Sequence, residues 1–143
     1  MEKIGDLISF IKGIRPDVIC MVDNCYGEFV ETIEPTDVGA DLCVGSLIKN
    51  PGGGLAPIGG YIVGKEEYVD NAAFRLTAPG MGKEVGATLG VTPSMIQGLF
   101  MAPQVVCGSL KGAMFAAKLF ENIGIEAYTD STGGGSDVNV YAG

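Results

Sequence analysis

The sequence predicts an α/β fold, and three observations support this prediction. Apolar residues recur at helical spacing near the N-terminus and again after Thr92. Between these segments lie short apolar runs rich in β-branched residues, a composition typical of strands inside a sheet. The 143 residues include 23 glycines, about twice the usual share, which favours many tight turns over one long helical bundle.

The predicted strands are short. They are mostly apolar and lie at Val18–Val22, which is rich in β-branched residues, at Asp41–Val44 and at Tyr61–Val63. The first strand is expected to be buried on both faces, as in a parallel sheet. The last strand follows the preceding loop too soon for a parallel crossover, so we expect it to be antiparallel. The sequence therefore predicts a mostly parallel sheet, with an antiparallel strand after the loop that carries Lys49.

Helical spacing predicts three helices, at residues 3–14, at residues 65–76 and from Thr92 to the stop signal Gly124. Thr92 is expected to cap the last helix and Pro103 to kink or split it. The apolar stripe expected to face the core in this helix is Ile96, Leu99, Val106, Leu110, Ala113, Ala117 and Phe120. Residues 125–143 are rich in Gly, Ser and Asp, and we predict a poorly ordered tail there.

Composition and charge exclude several classes of function. The net charge of −8 disfavours a nucleic-acid or anionic-membrane partner. The sequence contains no histidine, which removes catalysis by Ser-His or Cys-His pairs and His-ligated metal sites. Polar residues interrupt the most apolar stretch, Met95 to Phe120, so we expect no membrane span. No glycine-rich nucleotide-binding motif is present.

Cysteine usage and the N-terminus predict a cytoplasmic location. The four cysteines form no Cys-x-x-Cys pair, which favours free thiols in a reducing compartment over a metal or disulfide framework. The first residues lack the charged-then-apolar layout of a signal peptide.

Polar residues follow the first two predicted strands at the ends where open α/β sheets bind ligands. Asp23 and Tyr26 follow the first strand, and Ser46 and Lys49 follow the second. We expect glycines around Lys49 to keep its amine from solvent, and desolvation favours the neutral form that can condense with an aldehyde. The alternative for Lys49 is a lysine that caps a strand end.

Each of the other three residues also has an ordinary interpretation. Asp23 could form a turn with Asn24, Tyr26 could be a half-buried anchor, and Ser46 could cap its strand. Three glutamates at three-residue steps, Glu28, Glu31 and Glu34, are expected to form a solvated face. Apart from Lys49, the lysines are also expected to be solvated.

Longer strings of sequence carry a family resemblance. They are Val22–Glu31 (VDNCYGEFVE), Gly45–Gly54 (GSLIKNPGGG) and Arg75–Gly80 (RLTAPG). Together they resemble the methionine gamma-lyase-like family, also named after cystathionine beta-lyase and aluminium resistance. This family is part of the aspartate aminotransferase superfamily of fold-type I pyridoxal-phosphate enzymes. The likeness covers roughly Ile4 to Gly124.

The resemblance implies a fold, a cofactor and a role for each strand-end residue. Residues 1–124 would be the central part of the large domain that binds pyridoxal 5′-phosphate. The lysine matching Lys49 forms the Schiff base with the cofactor, and the acid matching Asp23 pairs with the pyridine nitrogen. The residues matching Tyr26 and Ser46 contact the ring's 3-oxygen and the phosphate. No metal is implied.

The implied activity is a carbon–sulfur lyase acting on small sulfur amino acids, with a homo-oligomeric full-length enzyme. The likeness covers only the central part of such enzymes, without their glycine-rich phosphate cup and their carboxylate-binding C-terminal domain. A second interpretation therefore stays open. The chain could be a non-catalytic remnant or interaction module that keeps the scaffold without binding the cofactor, and that exposes apolar surface once covered by lost neighbours.

Overall fold

The computed structural model of the protein describes residues 1–86, 88–127 and 140–141. Its helices are α1 (Glu2–Ile14), α2 (Glu66–Leu76) and α3 (Thr92–Asn122). Its strands are β1 (Met21–Asp23), β2 (Leu42–Ser46), β3 (Gly60–Gly64), β4 (Glu126–Ala127) and β5 (Val140–Tyr141). The first three strands form one sheet, and β4 pairs with β5 in a separate antiparallel ladder. The α/β fold class is confirmed.

The three-stranded sheet is mixed, with β2 at its centre. β1 runs parallel to β2, and Asp23 lies opposite Val44 in their register. β3 runs antiparallel to β2, with Gly60 opposite Ser46. The predicted antiparallel strand after the Lys49 loop is thus confirmed. The predicted parallel majority is not seen, since the described sheet holds one parallel and one antiparallel pair.

Strand β1 is shorter and more exposed than the sequence predicts. It begins at Met21, three residues later than expected, and Met21 is 61% exposed. β1 pairs with β2 on one edge only within the described residues. The prediction of a strand buried on both faces is therefore wrong for this structure, because burial of β1 needs neighbours that the described residues do not supply.

A buried carboxylate connects the C-terminal end of α1 with the start of α2 and with the segments that precede β1 and β2. Asp41, just before β2, is 2% exposed. Its oxygens lie 2.6 Å from the amines of Lys12 on α1 and Lys65 at the start of α2. It also accepts a hydrogen bond of 2.8 Å from the amide of Cys20. Lys12 and Lys65 are therefore paired with a buried acid, which corrects their expected role as purely solvated lysines.

Helix α3 is one continuous helix of 31 residues that contains Pro103, so the predicted split does not occur. Its buried residues are small or β-branched: Gly98, Ala102, Val106, Ala113 and Ala117. Gly98 lies directly against the backbone of Gly52, with no space for a side chain between them. Of the predicted stripe, Val106, Ala113 and Ala117 are buried as expected. The prediction is wrong for Ile96 and Leu99, which are more than half exposed, because the close approach at Gly98 needs small residues.

The ends of α3 agree in part with the sequence signals. The residue before the helix is Val91 rather than Thr92, and the Ser94 hydroxyl donates to the Val91 carbonyl over 2.8 Å. At the other end Gly124 has a φ of +81°, the left-handed conformation that favours glycine after a helix. Gly124 is therefore the stop that the sequence predicts.

Large apolar side chains are exposed on α1 and α3. Phe100 is 83% exposed, and Phe10 and Phe115 are also largely exposed.

By length and composition alone, α3 is long and apolar enough to cross a membrane, and it is the one such helix among the described residues. Within this structure, Gly98 of α3 packs on the backbone of Gly52, in the turn that follows β2. The predicted disordered tail, residues 125–143, lies mostly outside the described residues.

We expect Asp41→Asn to lower the free energy of unfolding by about 2–3 kcal/mol, because it leaves two ammonium groups without their buried partner. The amide of Cys20, then Lys12 and Lys65, hold the pKa of Asp41 well below its ordinary value. This stabilisation is complete above about pH 4 and is lost as the pH falls further. Urea unfolding at pH 7 and at pH 3 measures it.

The control is Asp17→Asn, which breaks an exposed pair with Arg15 and should leave the unfolding free energy unchanged. An Asp41→Asn chain as stable as wild type at pH 7 would contradict the structural role of the buried carboxylate.

Candidate functional site

The candidate site lies at one edge of the sheet, where β1 and β2 both end. Because the two strands are parallel, Asp23 at the end of β1 and Ser46 at the end of β2 share that edge. Tyr26 follows in the turn after β1. Lys49 follows Ser46 in a tight turn, in which the Lys49 amide donates to the Ser46 carbonyl over 3.2 Å. The topology thus brings the four predicted site residues to one edge.

The Lys49 amine contacts the ring of Tyr26. The Nζ atom lies over the ring at 4.8 Å from its centroid, the geometry of a cation–π contact. Tyr26 has a φ of +69°, a left-handed conformation that costs a non-glycine residue about 1 kcal/mol. Tyr26 is 48% exposed. The turn thus holds Tyr26 in a strained conformation while its ring faces the amine.

The protonation of Lys49 differs from the sequence-based expectation. Interaction with the side chain of Cys25 raises the pKa of Lys49, and burial lowers it by less. The nearby Tyr26 and Asp23 raise this pKa further. The expectation that desolvation favours the neutral amine is therefore wrong for this structure. Lys49 is partly buried and carries a stabilised positive charge.

Asp23 is exposed, and its charged form is favoured. The carboxylate accepts a hydrogen bond of 3.0 Å from the amide of Cys25 at Oδ1. Interactions with Cys25 lower the pKa of Asp23, and the positive charge of Lys49 contributes to the same shift. The site therefore presents an ionised carboxylate and an ammonium group, each with a favourable electrostatic environment.

A buried glutamate lies behind this edge, and sequence reasoning missed it. Glu28 is 5% exposed, and its Oε1 accepts a hydrogen bond of 2.7 Å from the phenol of Tyr61 on β3. Burial and the bond to Glu28 raise the pKa of Tyr61 above its ordinary value. Glu34 is also engaged, accepting from the side-chain amide of Asn24 over 2.8 Å. The predicted solvated face of three glutamates is thus wrong for Glu28 and Glu34.

Gly45 makes space for the Glu28–Tyr61 pair. A Cβ atom at this position would lie 2.5 Å from Glu28 Oε1 and 2.6 Å from the Tyr61 hydroxyl oxygen. Real Cβ atoms do not approach so closely, so β2 needs glycine here for space rather than for backbone conformation. A glycine directly after the predicted strand Asp41–Val44 was a local signal of a close approach.

Comparison with known proteins identifies relatives of this chain. The family model described as methionine gamma-lyase matches residues 1–139. The uncharacterized protein YnbB of Bacillus subtilis (strain 168) is 54% identical over 124 residues, which are 87% of this chain and 30% of YnbB. The chain therefore spans about a third of the length of this relative.

Solved structures agree in both fold and sequence. A protein of Listeria monocytogenes, provisionally named a cystathionine beta-lyase involved in aluminum resistance, is 52% identical with a TM-score of 0.92. That match covers 99% of this chain and 35% of the Listeria chain. A carbon–sulfur lyase involved in aluminum resistance from Clostridium novyi NT is 51% identical with a TM-score of 0.88, covering 95% of this chain and 32% of that one.

We expect Gly45→Ala to lower the free energy of unfolding by about 1–3 kcal/mol, because the new methyl group displaces the buried carboxylate–phenol pair. Thermal or urea unfolding measures this change. The matched control is Gly108→Ala, a position in α3 with open space around it. That control should gain about 0.5–1 kcal/mol from helix propensity. Equal stability of the two variants would show that Gly45 is not needed for space.

Proposed function

This chain belongs to the methionine gamma-lyase family, and on that premise we propose that it forms the lysine-bearing part of a pyridoxal-phosphate-dependent carbon–sulfur lyase. Residues 1–124 would then be the central part of the large domain of a fold-type I enzyme. The substrates would be small sulfur amino acids of the methionine or cystathionine type.

One observation supports this proposal most strongly. A primary amine, an ionised carboxylate and a phenol meet at the carboxyl ends of two parallel strands. Ligands of open α/β sheets bind at this edge. A lysine that only capped a strand end would not need an acid and a strained tyrosine arranged around it.

The chemistry of these side chains fits pyridoxal 5′-phosphate. Lys49 would supply the amine that condenses with the aldehyde, and Asp23 would pair with the ring nitrogen and keep it protonated. Tyr26 would donate to the 3-oxygen, and Ser46 would donate its hydroxyl to the phosphate. The exposure of Asp23 and Tyr26 leaves their polar groups accessible to such a molecule.

Lys49 and Asp23 would have different roles in the reaction. When bound, the cofactor supplies an electron-withdrawing ring that accepts the electron pair left at the substrate's α-carbon. Lys49 is protonated at neutral pH and must lose that proton before its amine reacts. The freed amine would then take the α-proton of the substrate. Asp23 would stay ionised throughout, since its pKa is lowered.

The chain spans about a third of the relatives that it matches, so the activity of a whole enzyme rests on more polypeptide than this. The remaining two thirds of such relatives would supply further contacts to the phosphate and to the substrate carboxylate. We propose that the complete enzyme is a cytoplasmic homo-oligomer.

The exposed apolar surface favours a second candidate function. Phe10 on α1 and both Phe100 and Phe115 on α3 are largely exposed. A chain that keeps this scaffold as an interaction module, without cofactor, would present such a surface to a partner. This candidate predicts that Lys49 does not react with the cofactor.

Reduction with borohydride after incubation with pyridoxal 5′-phosphate separates the two candidates. We expect wild type to carry one reduced pyridoxyl group on Lys49, located by peptide mass spectrometry. Lys49→Ala and Lys49→Arg should lose the label, because neither side chain can condense with the aldehyde.

Lys111→Ala is the matched control, since Lys111 is exposed on α3. It should be labelled at Lys49 like wild type. A wild-type chain labelled at random among its lysines, or not at all, would overturn the proposed lyase function and favour the interaction module.

A further inference from the structure

The geometry points to Asn50 as a positioning residue for Lys49. We propose that the Asn50 side chain joins two turns, the one that carries Lys49 and the one that carries Tyr26, and so sets the distance between amine and ring. This inference deepens the proposed function and rests on it for its meaning in catalysis.

The turn that carries Lys49 is fixed at its far end. Pro51 restricts the backbone directly after Asn50, and the Gly52 amide donates to the Lys49 carbonyl over 3.1 Å. Gly52 in turn packs backbone to backbone against Gly98 of α3. These contacts hold the turn on the helix, but none of them reaches Tyr26.

The turn that carries Tyr26 has a strained backbone, and contacts of Glu28 and Phe29 hold it in place. Both Tyr26 and Phe29 have positive φ values, of 69° and 62°. The side chain of Glu28, between them, is buried against Tyr61. The Phe29 amide donates to Glu34 over 3.1 Å. Such strain persists only where the surrounding contacts determine the conformation.

Asn50 connects the two turns. Its Nδ2 donates a hydrogen bond of 3.0 Å to the main-chain carbonyl of Glu28, 22 residues away in sequence. Asn50 follows Lys49 directly, and Glu28 lies two residues after Tyr26. The bond is partly buried. If it is lost, water cannot fully replace the hydrogen bond to the Glu28 carbonyl. A small movement of either turn then changes the 4.8 Å contact between amine and ring.

The test uses the rate at which Lys49 is acetylated by acetic anhydride, measured by mass spectrometry on the cofactor-free chain between pH 7 and 10. Asn50→Leu keeps the side-chain size but removes the donor without adding a charge, and Asn50→Ala also removes most of the side chain. In each variant we expect Lys49 to be acetylated about threefold faster or more, because the amine loses neighbours that stabilise its charge and becomes more exposed.

Three controls separate positioning from general loss of structure. Acetylation of Lys111 in the same samples should not change, and Asn71→Ala, an exposed asparagine on α2, should leave Lys49 unchanged. Asn50→Gln keeps a donor and should restore part of the wild-type rate. Folding of each variant is checked by circular dichroism.

Folded Asn50→Leu and Asn50→Ala chains that acetylate Lys49 at the wild-type rate would overturn the proposal. So would a Gln variant that behaves like the Ala variant. The acetylation rates are measured without cofactor. They are therefore distinguishable from a failure of the proposed function, which would appear as a missing borohydride label in the wild-type chain.

Discussion

The arrangement of the candidate site depends on one buried residue, Glu28. Its carboxylate is held by the phenol of Tyr61 on β3, in the space that Gly45 leaves open on β2. Its main-chain carbonyl is held by Asn50, next to Lys49. A single residue therefore connects the central strand, the antiparallel strand and both turns of the site. Without Glu28, the contacts that hold the strained Tyr26 ring against the Lys49 amine would be lost.

Local sequence was enough to predict that the four candidate residues share one edge of the sheet. The spacing from Asp23 to Tyr26 and from Ser46 to Lys49 follows two apolar runs, and parallel strands put such residues on one edge. The direction of β3 was also predictable, because a short connection allows only an antiparallel return. These features depend on neighbours in sequence, where residue type and spacing carry the information.

The features that sequence missed all depend on distant partners. Glu28 is 33 residues from Tyr61, and Asp41 is 29 residues from Lys12, so the burial of either acid has no local signal. The acidic spacing of Glu28 and Glu34 looked like a solvated face for this reason. The exposure of β1 was missed because burial depends on what packs around a segment rather than on its own composition. The raised pKa of Lys49 was missed because its main cause, the side chain of Cys25, lies in the other turn of the site.

The contact between Gly52 and Gly98 has a consequence for biosynthesis. A ribosome makes the turn after Lys49 well before it makes α3, yet the turn rests on the backbone of that helix. The contact between Gly52 and Gly98 can therefore form only after the first part of α3 has been synthesised, so the Lys49 turn lacks this support until then. The packing of this turn on α3 thus becomes possible only after all three strands of the sheet have been synthesised.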